Sequence, residues 1–204
     1  MNESIIKKQL NDSDDDRQLI SRFIAGDIRS FDELVLKYQD PVYRLCLQIL
    51  GNSHDAEDCA QEVFIKVYHN LKSFKFEAKF STWLYRVVVN TCKNKNNSLE
   101  FRLRKLYYWL DKPEAGIENA YLPELKSNID SPAQAFERQE VTRAICEAIQ
   151  SLPLDQKTLI VLFDFEGKTY TELVAITGYK MGTVKSKLAR AREKLRSKLE
   201  GVID

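Results

Sequence analysis

The stretch Tyr170-Thr171-Glu172-Leu173-Val174-Ala175-Ile176-Thr177-Gly178-Tyr179-Lys180-Met181-Gly182-Thr183-Val184-Lys185-Ser186-Lys187-Leu188-Ala189-Arg190-Ala191-Arg192-Glu193-Lys194-Leu195 reads as a helix-turn-helix. Thr169 and Glu172 form a capping box that starts a short helix with Leu173, Val174 and Ile176 facing in. Gly178-Tyr179-Lys180 supplies the tight turn, and a longer helix runs from about Met181 to Leu199. At 3.6 residues per turn, Val184, Leu188, Ala191, Leu195 and Leu199 share one apolar stripe, which predicts core. The opposite side carries Ser186, Ala189, Arg190 and Glu193, flanked by Lys185, Lys187, Arg192 and Arg196.

Charge points the same way. From Lys180 to Lys198 eight basic side chains stand against Glu193 alone, a local +7 in a chain whose total is +1, so the remainder carries −6. One basic end on an otherwise acidic chain is expected where that end meets nucleic acid. A helix fits the major groove, residues near its N-terminus reach base edges, and Lys or Arg further along neutralise phosphates. Lys185, Ser186 and Arg190 are the expected base readers, with Ala189 beside them, and Lys187 and Arg192 the expected phosphate contacts. Gly182 and Thr183 either bring backbone N–H groups to a phosphate or simply make a tight turn.

Working outward, Leu152-Pro153 opens a helix carrying Leu154, Leu159, Ile160, Leu162 and Phe163, which Gly167 closes. Before it, Ser131-Pro132-Ala133-Gln134 is a further helix start, and that helix reaches about Ser151. Together these segments resemble region 4 of the extracytoplasmic-function (ECF) group within the sigma-70 family. The resemblance rests on residues 182–195, preceded by Leu152-Pro153 and Tyr170-Thr171-Glu172-Leu173; Lys187 stands where the family usually has arginine.

The resemblance implies that the first half should look like region 2. From Arg17 to about Asn97 apolar residues recur at helical spacing with no sustained alternation, the signature of a helical bundle. Asp27, Gly51-Asn52-Ser53 and Ser81 punctuate it as caps. Residues 55–68, from Asp55-Ala56-Glu57-Asp58 to Val67-Tyr68, resemble the family helix that docks on a coiled coil of the polymerase's largest subunit, and the match places Asp58, Gln61 and Glu62 at its polar docking positions. Periodicity alone makes this an amphipathic helix with Val63, Phe64 and Val67 turned inward. Residues 74–94, from Phe74-Lys75-Phe76 to Cys92-Lys93-Asn94, resemble the segment that captures and melts the −10 element. They interleave aromatics with Lys and Arg, as suits unstacked bases and their phosphates. Asn90 and Asn94 are the expected base or strand contacts and Arg86 and Lys93 the backbone contacts, with Phe80 at the loop that holds a flipped base. Trp83, Leu84 and Val87 have the spacing of core.

The expected fold is therefore all-α: an acidic disordered tail over residues 1–16, a region 2 bundle over 17–97, a linker over 98–134 and a region 4 helix-turn-helix over 135–200. The linker's apolar run at 99–110 predicts a short docked helix. The resemblance implies a non-enzymatic sigma factor that binds core RNA polymerase and promoter DNA, melting the −10 element and holding the −35 element, with an anti-sigma factor as a further partner and no cofactor.

Composition excludes other classes. No apolar stretch approaches the ~18 residues of a membrane span, and the polar start lacks a signal peptide's pattern, so no membrane insertion and a cytoplasmic location are expected. Cys46, Cys59, Cys92 and Cys146 are far apart with no CxxC pair, so they are expected to be small buried residues rather than disulfides or zinc ligands. Only His54 and His69 are available for acid/base work. A metal-dependent nuclease using Asp14, Asp15, Asp16, Asp55, Glu57 and Asp58 is a weaker reading, because a solvated tail and a helix N-terminus explain the same residues. The stronger rival is a conventional helix-turn-helix regulator with a sensory or dimerisation domain over residues 1–130, which leaves the motif at 74–94 unexplained.

Overall fold

The computed structural model describes the backbone of residues 3–98 and 132–200 and the side chains of 14–98 and 140–200. Its helices are α1 (Glu3–Ile24), α2 (Arg29–Leu50), α3 (Ser53–Asn70), α4 (Phe80–Asn97), α5 (Pro132–Gln150), α6 (Leu154–Ile160), α7 (Tyr170–Thr177) and α8 (Met181–Leu199). No strand occurs among the described residues. The apolar run expected as a helix at 99–110 lies outside them.

The first four helices form one bundle. Asp27 caps α2 from two residues ahead, its carboxylate accepting from the Arg29 backbone N–H. Pro41 sits inside α2 and removes one ladder bond, yet the helix continues because Phe31 and Leu34 before it and Val42, Leu45 and Ile49 after it are all buried. Gly51 ends α2 in the left-handed region at φ 89°, and Asn52 starts α3 by accepting from the Asp55 N–H at 2.7 Å. Ser81, expected as a cap, lies inside the first turn of α4; Lys79 occupies the cap position and makes no side-chain cap bond.

The expected acidic tail is not a disordered one: α1 continues back to Glu3. Asp16 shows why the helix keeps its last acidic turn. It is only 5% exposed, and its carboxylate accepts from the Tyr38 hydroxyl at 2.6 Å and the Lys37 ammonium at 2.9 Å. A buried carboxylate with two donors, one of them charged, is a packing element rather than a solvated one.

In the second unit the capping box at Thr169 and Glu172 is present, and Gly178 closes α7 at φ 73°. The helix expected to run unbroken to Gly167 instead ends at Ile160 and widens into one π turn, Val161–Phe165, where the Glu166 N–H reaches the Val161 carbonyl. Phe163, inside that turn, packs against the Tyr170 ring of α7, 4.9 Å between centroids. Val184, Leu188 and Ala191 of α8 are buried as the stripe predicts, with Leu195 packed at its edge. Full burial of each leucine contributes roughly 1.5–3 kcal/mol. The two units share one apolar core running from Leu19 to Ala191.

Candidate nucleic-acid interface

The basic side of α8 is open. Gly182, Lys185, Ser186, Ala189 and Arg190 are exposed and Thr183 is half-buried. Gly182 lies within the first turn of the helix, not in a tight turn, and a Cβ there would meet nothing within 4 Å. Its lack of a side chain therefore serves no internal contact, and it leaves the α8 N-terminus bare to an approaching phosphate. Gly182→Ala is expected to stabilise the fold by up to about 0.5–1 kcal/mol in thermal unfolding while weakening duplex binding; unchanged DNA affinity would remove the backbone–phosphate contact.

Two of the expected phosphate contacts are held by the protein itself. The Lys187 ammonium donates to Asp155 at 3.0 Å and lies 5.3 Å from the Tyr179 ring centre. Arg192 donates to Asp164 at 2.6 Å and covers the Phe163 ring. Lys185 lies farther from Tyr170, 6.0 Å from its ring centre, and Arg190 points to solvent.

On α4, Arg86, Asn90 and Asn94 fall four residues apart and all three are exposed, one row along the helix. Leu84, Val88 and Cys92 on the other face are fully buried, and Trp83 and Val87 are half-buried. Phe80, expected among the DNA contacts, is 5% exposed, 5.3 Å from Tyr38 and 5.8 Å from Trp83 between ring centres, so it belongs to the core and not to the exposed row on α4. The half-buried aromatic of the loop is Phe76, whose backbone adopts φ 57°, a conformation that residues other than glycine rarely take. Together with Asp16, Arg17, Phe74 and Lys79 it lines a cleft between α1 and the loop, with the Arg17 guanidinium 5.3 Å from its ring centre. Interleaved aromatics mark such a segment in sequence without saying which ring faces out.

Along α3, Asp58, Gln61 and Glu62 share one exposed face. Asp58 pairs with Lys95 of α4 at 3.0 Å, and Glu62 pairs with Lys66 one turn on at 2.7 Å. Burial acts against the Lys95 charge, but the Asp58 and Asp55 carboxylates outweigh it and raise its pKa. Ile65, 57% exposed one turn beyond Gln61, presents an apolar side chain on the same face, which the sequence pattern did not single out. Among the carboxylates considered for a nuclease, Asp55 is buried against Asn52 and Lys95, and no three acidic groups converge among the described residues.

The two basic faces are joined by polar bridges. Asp155 of α6 takes Lys93 of α4 at 3.4 Å and Lys187 of α8 at 3.0 Å, and the Lys93 ammonium also donates to the Tyr179 hydroxyl at 3.0 Å. The bond to Tyr179, with Asp155 beside it, raises the Lys93 pKa, so the lysine stays charged. Nearby, the Tyr85 hydroxyl donates to Glu166 at 2.7 Å, and burial followed by that carboxylate pushes the phenol far above its ordinary range. Lys168 covers the Tyr85 ring at 4.3 Å.

One chain thus carries an open basic helix, α8, and a separate exposed row on α4. Residues 34–101 match Sigma-70 region 2 and residues 142–195 match Sigma-70 region 4. The chain is 36% identical over 193 residues to the RNA polymerase sigma-H factor of Pseudomonas aeruginosa, covering 92% of this chain and 95% of that one. It is also 36% identical over 184 residues to the ECF RNA polymerase sigma factor SigW of Bacillus subtilis, covering 90% and 96%. In fold it is similar to the sigma factor RpoE solved with the anti-sigma factor NepR from Bartonella quintana, at TM-score 0.57 and 20% identity over 85% of this chain and 98% of that one. The chain belongs to the ECF group of the sigma-70 family. It is an ECF sigma factor. No described helix is long and apolar enough to cross a membrane.

Proposed function

We propose that α3 docks on a coiled coil of the polymerase's largest subunit through Gln61, Glu62 and Ile65, with Asp58 at the edge of the contact. The α4 row Arg86, Asn90 and Asn94, with Lys93 beside it, holds the −10 strand, and the cleft beside Phe76 receives an unstacked base. On α8, Lys185, Ser186 and Arg190 read the −35 duplex while Thr183, Lys187 and Arg192 steady its phosphates. The observation that carries this reading is the single exposed row on α4, because a duplex-only regulator has no use for it. An anti-sigma factor, like the one bound to the Bartonella quintana relative, is the partner that keeps these surfaces covered.

Docking is tested by Gln61→Ala with Glu62→Ala. Both side chains are exposed, so the double variant should keep its circular dichroism spectrum and melting temperature while losing affinity for core polymerase in a pull-down titration. Full core affinity in the folded double variant would move the docking surface off α3.

Asp155 adds a competing element. Lys93 and Lys187 cannot contact phosphates on two promoter elements while both remain on one carboxylate. Asp155→Asn should therefore raise the free protein's affinity for promoter duplex at low salt by more than Asp40→Asn, a remote exposed control of equal charge change. Equal gains from the two would mean that net charge alone acts.

A further inference from the structure

Three of the four cysteines meet at one point inside the N-terminal bundle. Cys46 comes from α2, Cys59 from α3 and Cys92 from α4; each is fully buried, and no two are bonded. Their sulfurs lie within 4.8 Å of one another, and Cys59 Sγ is 3.5 Å from Cys92 Sγ. Nothing in the proposed promoter or polymerase contacts uses them. We propose that these thiols form a three-coordinate site for a soft, thiophilic cation, monovalent copper being the fitting chemical class.

Geometry and ligand count carry the assignment. A metal–thiolate bond of about 2.3 Å places sulfurs about 4 Å apart around a trigonal ion. The Cys59–Cys92 separation of 3.5 Å falls just short of that value and the other two are no longer than 4.8 Å, so loading needs shifts of under about an ångström. No imidazole or carboxylate oxygen joins the three sulfurs among the described residues. Zinc closes its structural sites with four ligands, and hard cations require oxygen, so a set of three sulfurs selects against both. Monovalent copper accepts such a set, and the buried apolar walls exclude the water that would complete another ion's shell. Binding moves no electrons: copper remains monovalent, copper–sulfur bonds replace S–H bonds, and the displaced protons leave to solvent. Cys59 directly follows Asp58 on the docking face, and Cys92 directly precedes Lys93 beside the DNA row. Loading thus ties together the helices that carry the two proposed binding faces.

The test uses the full-length protein, reduced and anaerobic, titrated with monovalent copper supplied as its acetonitrile complex against a chromogenic copper(I) chelator. One equivalent should be retained, X-ray absorption should show three sulfurs at about 2.3 Å, and the melting temperature should rise. Cys46→Ala, Cys59→Ala and Cys92→Ala should each weaken retention at least tenfold, while Cys146→Ala should leave it unchanged. If an alanine variant fails to fold, the near-isosteric Cys46→Ser, Cys59→Ser and Cys92→Ser take its place, and each should weaken retention at least tenfold while Cys146→Ser leaves it unchanged. Copper lost to the chelator, a shell with fewer than three sulfurs, zinc held more tightly than copper, or retention abolished by Cys146→Ala would each overturn the site.

Discussion

Arg190→Ala should weaken binding to a −35 duplex by about 1–3 kcal/mol, roughly 5- to 150-fold, without lowering the protein's melting temperature. The two halves of that expectation come from one position. Arg190 stands on the exposed side of α8, and Ala191 beside it is fully buried, so the helix is held by its neighbour and not by the arginine. Arg192 is a poorer base reader because its guanidinium is already on Asp164 and Phe163. A bidentate arginine–guanine pair also makes the effect sequence-dependent: the variant should discriminate less at one base position, whereas removing a phosphate-binding side chain weakens all duplexes alike. Electrophoretic mobility measured on a panel of single-base duplex variants gives both readouts. A uniform weakening would reassign Arg190 to the phosphates, and unchanged affinity would remove it from the interface.

Two residues earlier on the same helix, the outcome reverses. Leu188 is 2% exposed and packs in the core shared by both units, and truncating a buried leucine to alanine costs about 2–5 kcal/mol through forfeited transfer energy and the cavity left behind. Leu188→Ala should therefore shift the urea midpoint markedly and depress −35 binding only through the unfolded fraction. Binding corrected for that fraction should match wild type. The spread in the expected cost depends on how far the surrounding core can close around the gap. A variant of unchanged stability would mean that α8 is not packed by its apolar stripe.

The elements that sequence disclosed well are those set by local chemistry. The capping box at Thr169 and Glu172, the left-handed glycines at Gly51 and Gly178, and the buried stripe of Val184, Leu188 and Ala191 each depend on neighbours within two turns. What stayed hidden depends on distant partners. Asp16 reads as solvated until Tyr38 and Lys37 are seen to hold it, and Phe80 reads as one more DNA-facing aromatic until Tyr38 and Trp83 enclose it. The same holds for Lys187 and Lys93, whose shared carboxylate lies on a helix between them. Cys46, Cys59 and Cys92 carry no spacing signal because three separate helices deliver them. The π turn at Val161–Phe165 follows from packing of Phe163 against α7, which no local pattern announces.

Run-off transcription from genomic fragments, using bacterial core RNA polymerase with and without this protein, tests the central claim most directly. Discrete transcripts should appear only when the protein is added and disappear with the Gln61→Ala, Glu62→Ala double variant. Silent polymerase, together with a protein that by itself footprints a palindromic duplex, would contradict it.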